Sequence, residues 1–177
     1  MTDMILEREF DPPVAAGDVI AMGEESHDCF GMHRVDWQQS FLAAGGRRLF
    51  CWFSGPDAES VRLALRQSGV GAHEIWRSTV HDSADEGAPD WRLANVVVER
   101  RWDSPVALDD IQAIEDAGAH CLETWNVRFA RTFFASDRTR MACLYQAPDA
   151  EAVRMAQRQA GMPMERVWAC TQVRDLA

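Results

Sequence analysis

The chain has 177 residues, a length that fits one domain or two small ones. Its composition is 47% hydrophobic and 26% charged, as in ordinary soluble globular proteins, and no apolar run approaches the ~20 residues of a membrane helix. We therefore expect no membrane partner, and the formal net charge of -10 would repel a phosphate backbone, so nucleic acid is not an expected partner either.

The side-chain inventory excludes several chemistries. All 18 basic residues are arginine, which excludes Schiff-base lysine catalysis and the lysine of a P-loop. The five cysteines form no CxxC pair, and the opening residues MTDMILEREF lack the basic and apolar regions of a signal peptide. We therefore expect reduced thiols and a cytoplasmic location.

The first half of the chain predicts four strands and two helices. In chain order the segments are the strand MILEREF, a helix over about 17–32, the strands VDWQQSFLA and RRLFCWF, the helix PDAESVRLALRQSG and the strand EIWRSTV. The last helix opens on proline and acids and closes on Gly69, which are good start and stop signals.

The second half repeats the first at an offset of 92 residues. CWFSGPDAESVRLALRQSG (51–69) aligns without gaps with CLYQAPDAEAVRMAQRQAG (143–161), and the remaining elements follow, including a helix over about 108–125. HDSADEGAPDW joins the halves and is typical of an acidic linker. The sequence thus predicts a first unit over 1–80, a linker over 81–95 and a second unit over 96–177, each of the ferredoxin-like βαββαβ type.

Both faces of the predicted sheets carry apolar side chains. Val35, Trp37 and Phe41 should point to one face, and Leu42 to the other. Because the helices of a unit cover only one face, the other face is expected to be buried against the sheet of the other repeat. The predicted fold class is α+β, with tandem units packed as a single-chain dimeric α/β barrel. This intramolecular pseudo-dimer leaves further oligomerisation open.

The stretch HDCFGMH concentrates candidate metal ligands at the end of the first predicted helix. Cys29 and His33 stand at i, i+4 on its inner face, a spacing that could serve a metal. In the second repeat the counterpart of His33 is Trp125, so only two ligands converge in one copy. Because a structural metal site usually has four protein ligands, we interpret the stretch as a helix end with a packed cysteine.

Three motifs together resemble a known family. The VER-type first strand, VxWxxSF (Val35 to Phe41) and GPDAESVRLALRQSG resemble the nickel-binding ferredoxin-like domain family, whose members pair as dimers; this chain resembles a fused pair. The resemblance implies nickel or another divalent metal as a cofactor. The family's WxHS[YF] motif has a histidine where this chain has Gln39 and Arg131. Arg131 beside Glu99 is expected to form a buried ion pair where a metal would otherwise lie.

Two functions from different classes follow. The first is a binding module for a small molecule or a metal ion, with its cavity between the two sheets. The alternative, which rests on fold analogy, is a cofactor-independent dimeric α/β-barrel enzyme of monooxygenase, isomerase or cyclase type that acts on a small acidic substrate. Arg131 would supply a fixed positive charge that favours a carboxylate or phosphate. The candidate ligand-binding residues are Glu7, Trp37, Gln39, Glu99, Arg131 and Tyr145.

Overall fold

The computed structural model describes residues 1–71 and 74–173. The first repeat contains β1 (Thr2–Glu9), α1 (Ala16–Glu25), α2 (His27–Met32), β2 (Asp36–Ala43), β3 (Arg48–Gly55), α3 (Ala58–Gln67) and β4 (Glu74–Asp82). The second repeat contains β5 (Val96–Arg101), α4 (Leu108–Ala117), α5 (Ala119–Thr124), β6 (Arg128–Ala135), β7 (Arg140–Gln146), α6 (Ala150–Ala160) and β8 (Arg166–Gln172). A 3-10 turn at Trp91–Leu93 precedes β5. In the described part of the chain, no helix is long and apolar enough to cross a membrane.

The two sheets have the same antiparallel order. In the first, β3 lies between β1 and β2, and β4 pairs with the free side of β1. In the second, β7 lies between β5 and β6, and β8 pairs with β5. The hydrogen bonds between strands close in the order β1-β3-β2-β8-β5-β7-β6-β4, which confirms the predicted single-chain dimeric α/β barrel.

By residue contacts the chain divides into two compact units, and the divisions fall inside β4 and β8. Unit 1 is Met1–Thr79 together with the segment that begins at Cys170, and unit 2 is Val80–Ala169. Predicted linker residues therefore belong to unit 2: Asp82 ends β4, and Trp91 is buried.

The helix before the second strand is broken in both repeats, whereas the sequence predicts it as continuous. Ser26 separates α1 from α2, and its hydroxyl donates to the Met22 carbonyl at 2.7 Å. Gly118 separates α4 from α5 at a close contact, because a Cβ there would lie 2.5 Å from the Cβ of Ala160. The break turns the short second helix toward the last helix of its unit.

A β-bulge in the second strand of each repeat corrects the predicted side-chain directions. The β2–β3 register shifts between Trp37 and Gln39, and the β6–β7 register shifts between Phe129 and Arg131. An extra residue reverses the alternation that follows it. Trp37 therefore packs on the helix side of its sheet with the core of unit 1, whereas Gln39 follows the bulge. The prediction that Trp37 shares a face with Gln39 and Phe41 is wrong.

Candidate ligand-binding site

Unit 2 contains a cavity of about 490 Å³ on the helix-covered face of its sheet. Strand residues form its floor, residues of α4, α5 and α6 form its walls, and residues 81–89 lie at its rim. Its volume falls in the range of small-molecule sites. The lining residues used below are Ile111, Glu115, Leu122, Phe129, Thr132, Met141, Tyr145, Gln157 and Met162.

A buried arginine lies directly behind the floor of this cavity. Arg100 is 1% exposed, and its Nη2 donates to the Tyr145 hydroxyl at 3.2 Å and to Gln157 Oε1 at 2.7 Å. Its Nη1 donates to the Cys143 sulfur at 2.9 Å, and the same sulfur lies 2.6 Å from the Thr132 hydroxyl. One guanidinium thus orients two polar groups that line the cavity.

The donor-only chemistry of arginine fixes which atoms of Tyr145 and Gln157 face Arg100. Because a guanidinium cannot accept a hydrogen bond, Gln157 must present its oxygen to Arg100, which leaves its NH₂ group to donate elsewhere. Tyr145 likewise accepts from Arg100 and keeps its own O–H as a donor. Burial raises the pKa of Tyr145 well above its usual range, so the hydroxyl stays protonated. The floor therefore offers two hydrogen-bond donors backed by a cation.

The charge of Arg100 has no carboxylate partner at ion-pair distance among the described residues, although buried charges are usually paired. Its Nε–H is buried and donates to no acceptor in that part of the chain. Burial lowers the pKa of Arg100, but Cys143, Tyr145 and Glu115 raise it by more, so the group remains a cation. An anionic ligand at the floor would supply the missing negative charge.

Glu115 on α4 places a carboxyl group in the cavity wall. Burial raises its pKa above the ordinary value of 4.5, the Arg100 cation lowers it, and the adjacent Asp116 raises it again, with a net increase. Its carboxyl accepts no hydrogen bond from any residue that the structure describes. Glu115 is therefore poised to exchange a proton at a higher pH than an ordinary glutamate.

This shift predicts a pH-dependent stability difference between the wild-type chain and Glu115→Gln. A raised folded-state pKa means that the stabilisation of the protonated form is complete below pH 4.5 and is lost as pH rises through the folded-state pKa. Melting temperatures measured from pH 4 to pH 8 should show Glu115→Gln gaining on the wild type as pH rises. A difference that stays constant, or that shrinks with pH, would contradict the assignment.

The equivalent space in unit 1 is nearly filled. Only about 30 Å³ remains beside Arg8, Leu65 and Phe53, which are the repeat partners of Arg100, Gln157 and Tyr145. The Trp37 ring separates this remnant from a surface groove of about 590 Å³ and lines both spaces. In unit 2 the smaller Phe129 occupies the corresponding position, and the inner and outer spaces are one cavity.

The Trp37 ring fits because a glycine faces it. A Cβ at Gly23 would lie 2.1 Å from the ring, so Gly23→Ala should destabilise the chain by about 1–3 kcal/mol through overpacking. Gly17→Ala in the same helix is a matched control, since its Cβ would meet nothing within 4 Å, and it should be neutral or stabilising by about 0.5–1 kcal/mol. Chemical denaturation of both variants measures the difference, and equal effects would contradict this packing.

Arg131 is paired with Asp82, whereas the sequence predicted a pair with Glu99. Its Nε and Nη2 donate to the two Asp82 carboxylate oxygens at 2.6 and 2.9 Å, and its guanidinium lies 4.6 Å from the centroid of the Trp91 ring. The Arg131 side chain is 10% exposed and the Asp82 side chain is 60% exposed, so the pair lies at the surface end of the Arg131 side chain and its bidentate geometry fixes the guanidinium. Sequence reasoning had treated Asp82 as part of a solvated linker.

Glu7 and Glu99 are held in the same way in the two repeats. Glu7 accepts from the Trp76 indole at 2.7 Å, and Glu99 accepts from the Trp168 indole at 2.5 Å. Glu7 also forms an ion pair with Arg48 at 3.0 Å. Both carboxylates are thus committed to interactions with strand residues.

The residues present do not fit a nickel centre. Gln39 accepts from the Ser40 amide at 2.9 Å and donates to Gln172 at 3.3 Å, and Arg131, its counterpart, cannot ligate a metal. In HDCFGMH, the His33 ring bonds Gln67 Oε1 at 2.9 Å, just as Trp125 bonds Gln159 at 2.8 Å in the second repeat. Among the described residues, no three or more His, Cys, Asp or Glu side chains are grouped to hold a metal.

Of the predicted ligand-binding residues, Tyr145 lines the cavity of unit 2. Sequence reasoning missed Arg100, Glu115 and Gln157. A signal was present in the repeat alignment, where Gly23, Phe53 and Leu65 of the first repeat are replaced by Glu115, Tyr145 and Gln157. Each exchange introduces a polar side chain on the helix-covered side of one repeat only.

Comparisons with known proteins identify relatives of this chain. The family model "Nickel responsive protein SCO4226-like" matches the chain twice, at residues 4–77 and 97–170. The SCO4226 structure from Streptomyces coelicolor A3(2) is 22% identical, with 42% of this chain and 91% of that chain covered and a TM-score of 0.38. A comparison with curated protein sequences gave no significant match.

Two further structures match the whole chain. The chlorite dismutase candidate TA0507 is 12% identical, with 98% of this chain and 94% of that chain covered and a TM-score of 0.52. A mutant chlorite dismutase from Candidatus Nitrospira defluvii is 6% identical, with 96% and 90% covered and a TM-score of 0.50. At these identities the matches support the fold alone.

Proposed function

We propose a ligand-binding function on the premise that this chain belongs to the SCO4226-like nickel responsive protein family, of which it contains two copies. Unit 2 binds a small organic acid in the cavity between its sheet and its helices. The observation that carries this proposal is the floor itself, where Tyr145 and Gln157 present hydrogen-bond donors in front of the unpaired Arg100 cation.

The floor and the walls select different parts of the ligand. Donors in a desolvated site, backed by a fixed charge, favour a carboxylate over a neutral group. Part of the wall is apolar and aromatic, and includes Ile111, Leu122, Phe129 and Met162, so it favours a compact hydrocarbon or aromatic body. The cavity is also lined by acidic side chains, namely Asp82, Asp85, Glu86, Glu115, Asp116 and Glu123, but no three or more His, Cys, Asp or Glu among the described residues are grouped to hold a metal, so we do not transfer the relatives' nickel response to this site.

Calorimetry with benzoate tests the proposal, and benzamide serves as a neutral ligand of the same shape. We expect one benzoate to bind per chain and benzamide to bind at least about 10-fold more weakly, because only the anion completes the charge of Arg100. The double variant Tyr145→Phe/Gln157→Leu carries the residues of the first repeat and should weaken benzoate binding by about 10²-fold or more.

Arg131→Lys provides a matched control for charge. Its guanidinium is already neutralised by Asp82, so this variant should bind benzoate like the wild type. Loss of binding in Arg131→Lys with retention in the double variant would move the site to the other face of the sheet. Calorimetric titration with nickel alone should show no binding that benzoate displaces.

A further inference from the structure

The cavity wall contains a group that a simple binding site for an acid does not need. A carboxyl group near a bound carboxylate weakens binding whenever it is ionised, yet Glu115 lines the cavity that Tyr145 and Gln157 also line. In the first repeat the same position is Gly23, so the fold does not require a side chain there. Glu115 is also without a hydrogen-bond partner among the described residues, which leaves both of its oxygens available to a ligand.

The floor has the features of a site that stabilises an oxyanion. Tyr145 and Gln157 are bonded to the same Arg100 nitrogen, at 3.2 and 2.7 Å, so their donors are held close together and share one cation. Two such donors can hold the carboxylate and the neighbouring carbonyl oxygen of a 2-oxo acid. Preorganised donors of this kind stabilise negative charge that develops on a carbonyl oxygen.

We propose that unit 2 is an enzyme that transfers a proton at the carbon next to the carbonyl of a small 2-oxo acid, with Glu115 as the proton acceptor and the donors of Tyr145 and Gln157 as the oxyanion site. This inference rests on the proposed binding function and adds a reaction to it. It requires neither a metal nor an oxidant.

The proposed step balances as an enolisation. The C–H bond next to the carbonyl breaks, its proton forms an O–H bond with the Glu115 carboxylate, and its electron pair forms the C=C bond. The carbonyl π electrons move to oxygen, where the Tyr145 hydroxyl and the Gln157 amide stabilise the negative charge in front of Arg100. Glu115 then returns the proton, either to the oxygen to give the enol or to the carbon.

Burial and neighbouring charges set the basicity of Glu115, and Asp116 and Glu123 line the same cavity. Burial raises the pKa of Glu115, the Arg100 cation lowers it and the neighbouring Asp116 raises it. The net rise in pKa makes Glu115 a stronger base than an ordinary glutamate. Burial raises the pKa of the Cys143 thiol to about 11, so this thiol stays protonated and does not serve as the base.

Phenylpyruvate is a suitable probe because it combines a carboxylate, an adjacent carbonyl, an exchangeable CH₂ group and an aromatic body. Proton NMR in D₂O would follow loss of the CH₂ signal above the buffer background, and calorimetry would follow binding. We expect the wild type to accelerate exchange, and Glu115→Gln to lose about 10²–10⁴-fold of that rate while it binds phenylpyruvate at least as tightly. Asp110→Asn, at an exposed position of the same helix outside the cavity, should match the wild type.

The outcomes separate this inference from the proposed function. Binding of phenylpyruvate without exchange, or full exchange by Glu115→Gln, would overturn the proton-transfer reaction and leave the binding function standing. Binding of benzoate but not phenylpyruvate would overturn the assignment of 2-oxo acids as substrates. Absence of binding by benzoate and phenylpyruvate alike would overturn both proposals.

Discussion

Arg100→Met should abolish most of the binding of small acids and destabilise the folded chain. Arg100 is 1% exposed, and its guanidinium donates to Cys143, Tyr145 and Gln157, whose buried polar groups would lose their partner. Leaving a buried hydrogen-bonding group without its partner costs about 1–3 kcal/mol. We expect a loss of stability in that range by chemical denaturation, and a loss of benzoate affinity of about 10–100-fold.

The binding result makes this prediction specific. An arginine with a purely structural role would lower stability in the same way, because Tyr145, Gln157 and Cys143 would lose their partner, but its removal would leave the benzoate affinity of the folded variant unchanged. Arg8→Met is the matched control, since Arg8 is the repeat partner in unit 1 and contacts the Met22 sulfur at 3.6 Å and the Phe10 ring. It should leave benzoate binding unchanged. Destabilisation together with full binding in Arg100→Met would contradict the proposed role.

The two repeats differ in the side chains that surround this arginine. In unit 1, Phe53 and Leu65 stand at the positions of the two donors, and the Trp37 ring fills the space that is open in unit 2. The two repeats thus provide a filled and an open version of one structure within a single chain.

The fold could be predicted from the sequence because its signals are repeated. The 92-residue offset gives every element a second instance, and the helix caps recur at Asp57 and Asp149, whose side chains accept from the amides of Ser60 and Ala152 at 2.8 and 2.7 Å. Capping signals of this kind depend on residues that are close in the chain, so they can be recognised from the sequence alone.

The site could not be predicted from the sequence, because it depends on the directions in which individual side chains point. Strict alternation along β2 and β6 assigns Trp37 and Phe129 to the wrong face, since the extra residue of each bulge leaves no mark in the hydrophobic pattern. Arg100 lies on β5, and only the packing of α6 on the sheet reveals that its side chain is buried. The linker acid Asp82 was missed as the partner of Arg131 for the same reason.

Three substitutions should create a second binding site in unit 1. Trp37→Phe removes the ring that separates the groove of about 590 Å³ from the inner space, as Phe129 leaves the cavity of unit 2 open. Phe53→Tyr and Leu65→Gln then supply the two donors in front of Arg8, whose Nε is buried and without a partner in the described structure. Calorimetry with benzoate should show the stoichiometry rise from one to two per chain.

The single variant Trp37→Phe tests the effect of added cavity volume apart from the effect of added hydrogen-bond donors. It opens the same volume without adding donors, so it should lose about 1–3 kcal/mol of stability through incomplete packing and still bind one benzoate. Adding the two donors without Trp37→Phe should also leave one site, because the groove and the inner space stay separate. If the triple variant folds but binds a single benzoate, the donors and the cation are insufficient to define the site. If Trp37→Phe alone binds a second benzoate, apolar volume and not the polar floor governs recognition, and the roles assigned to Tyr145 and Gln157 would be wrong.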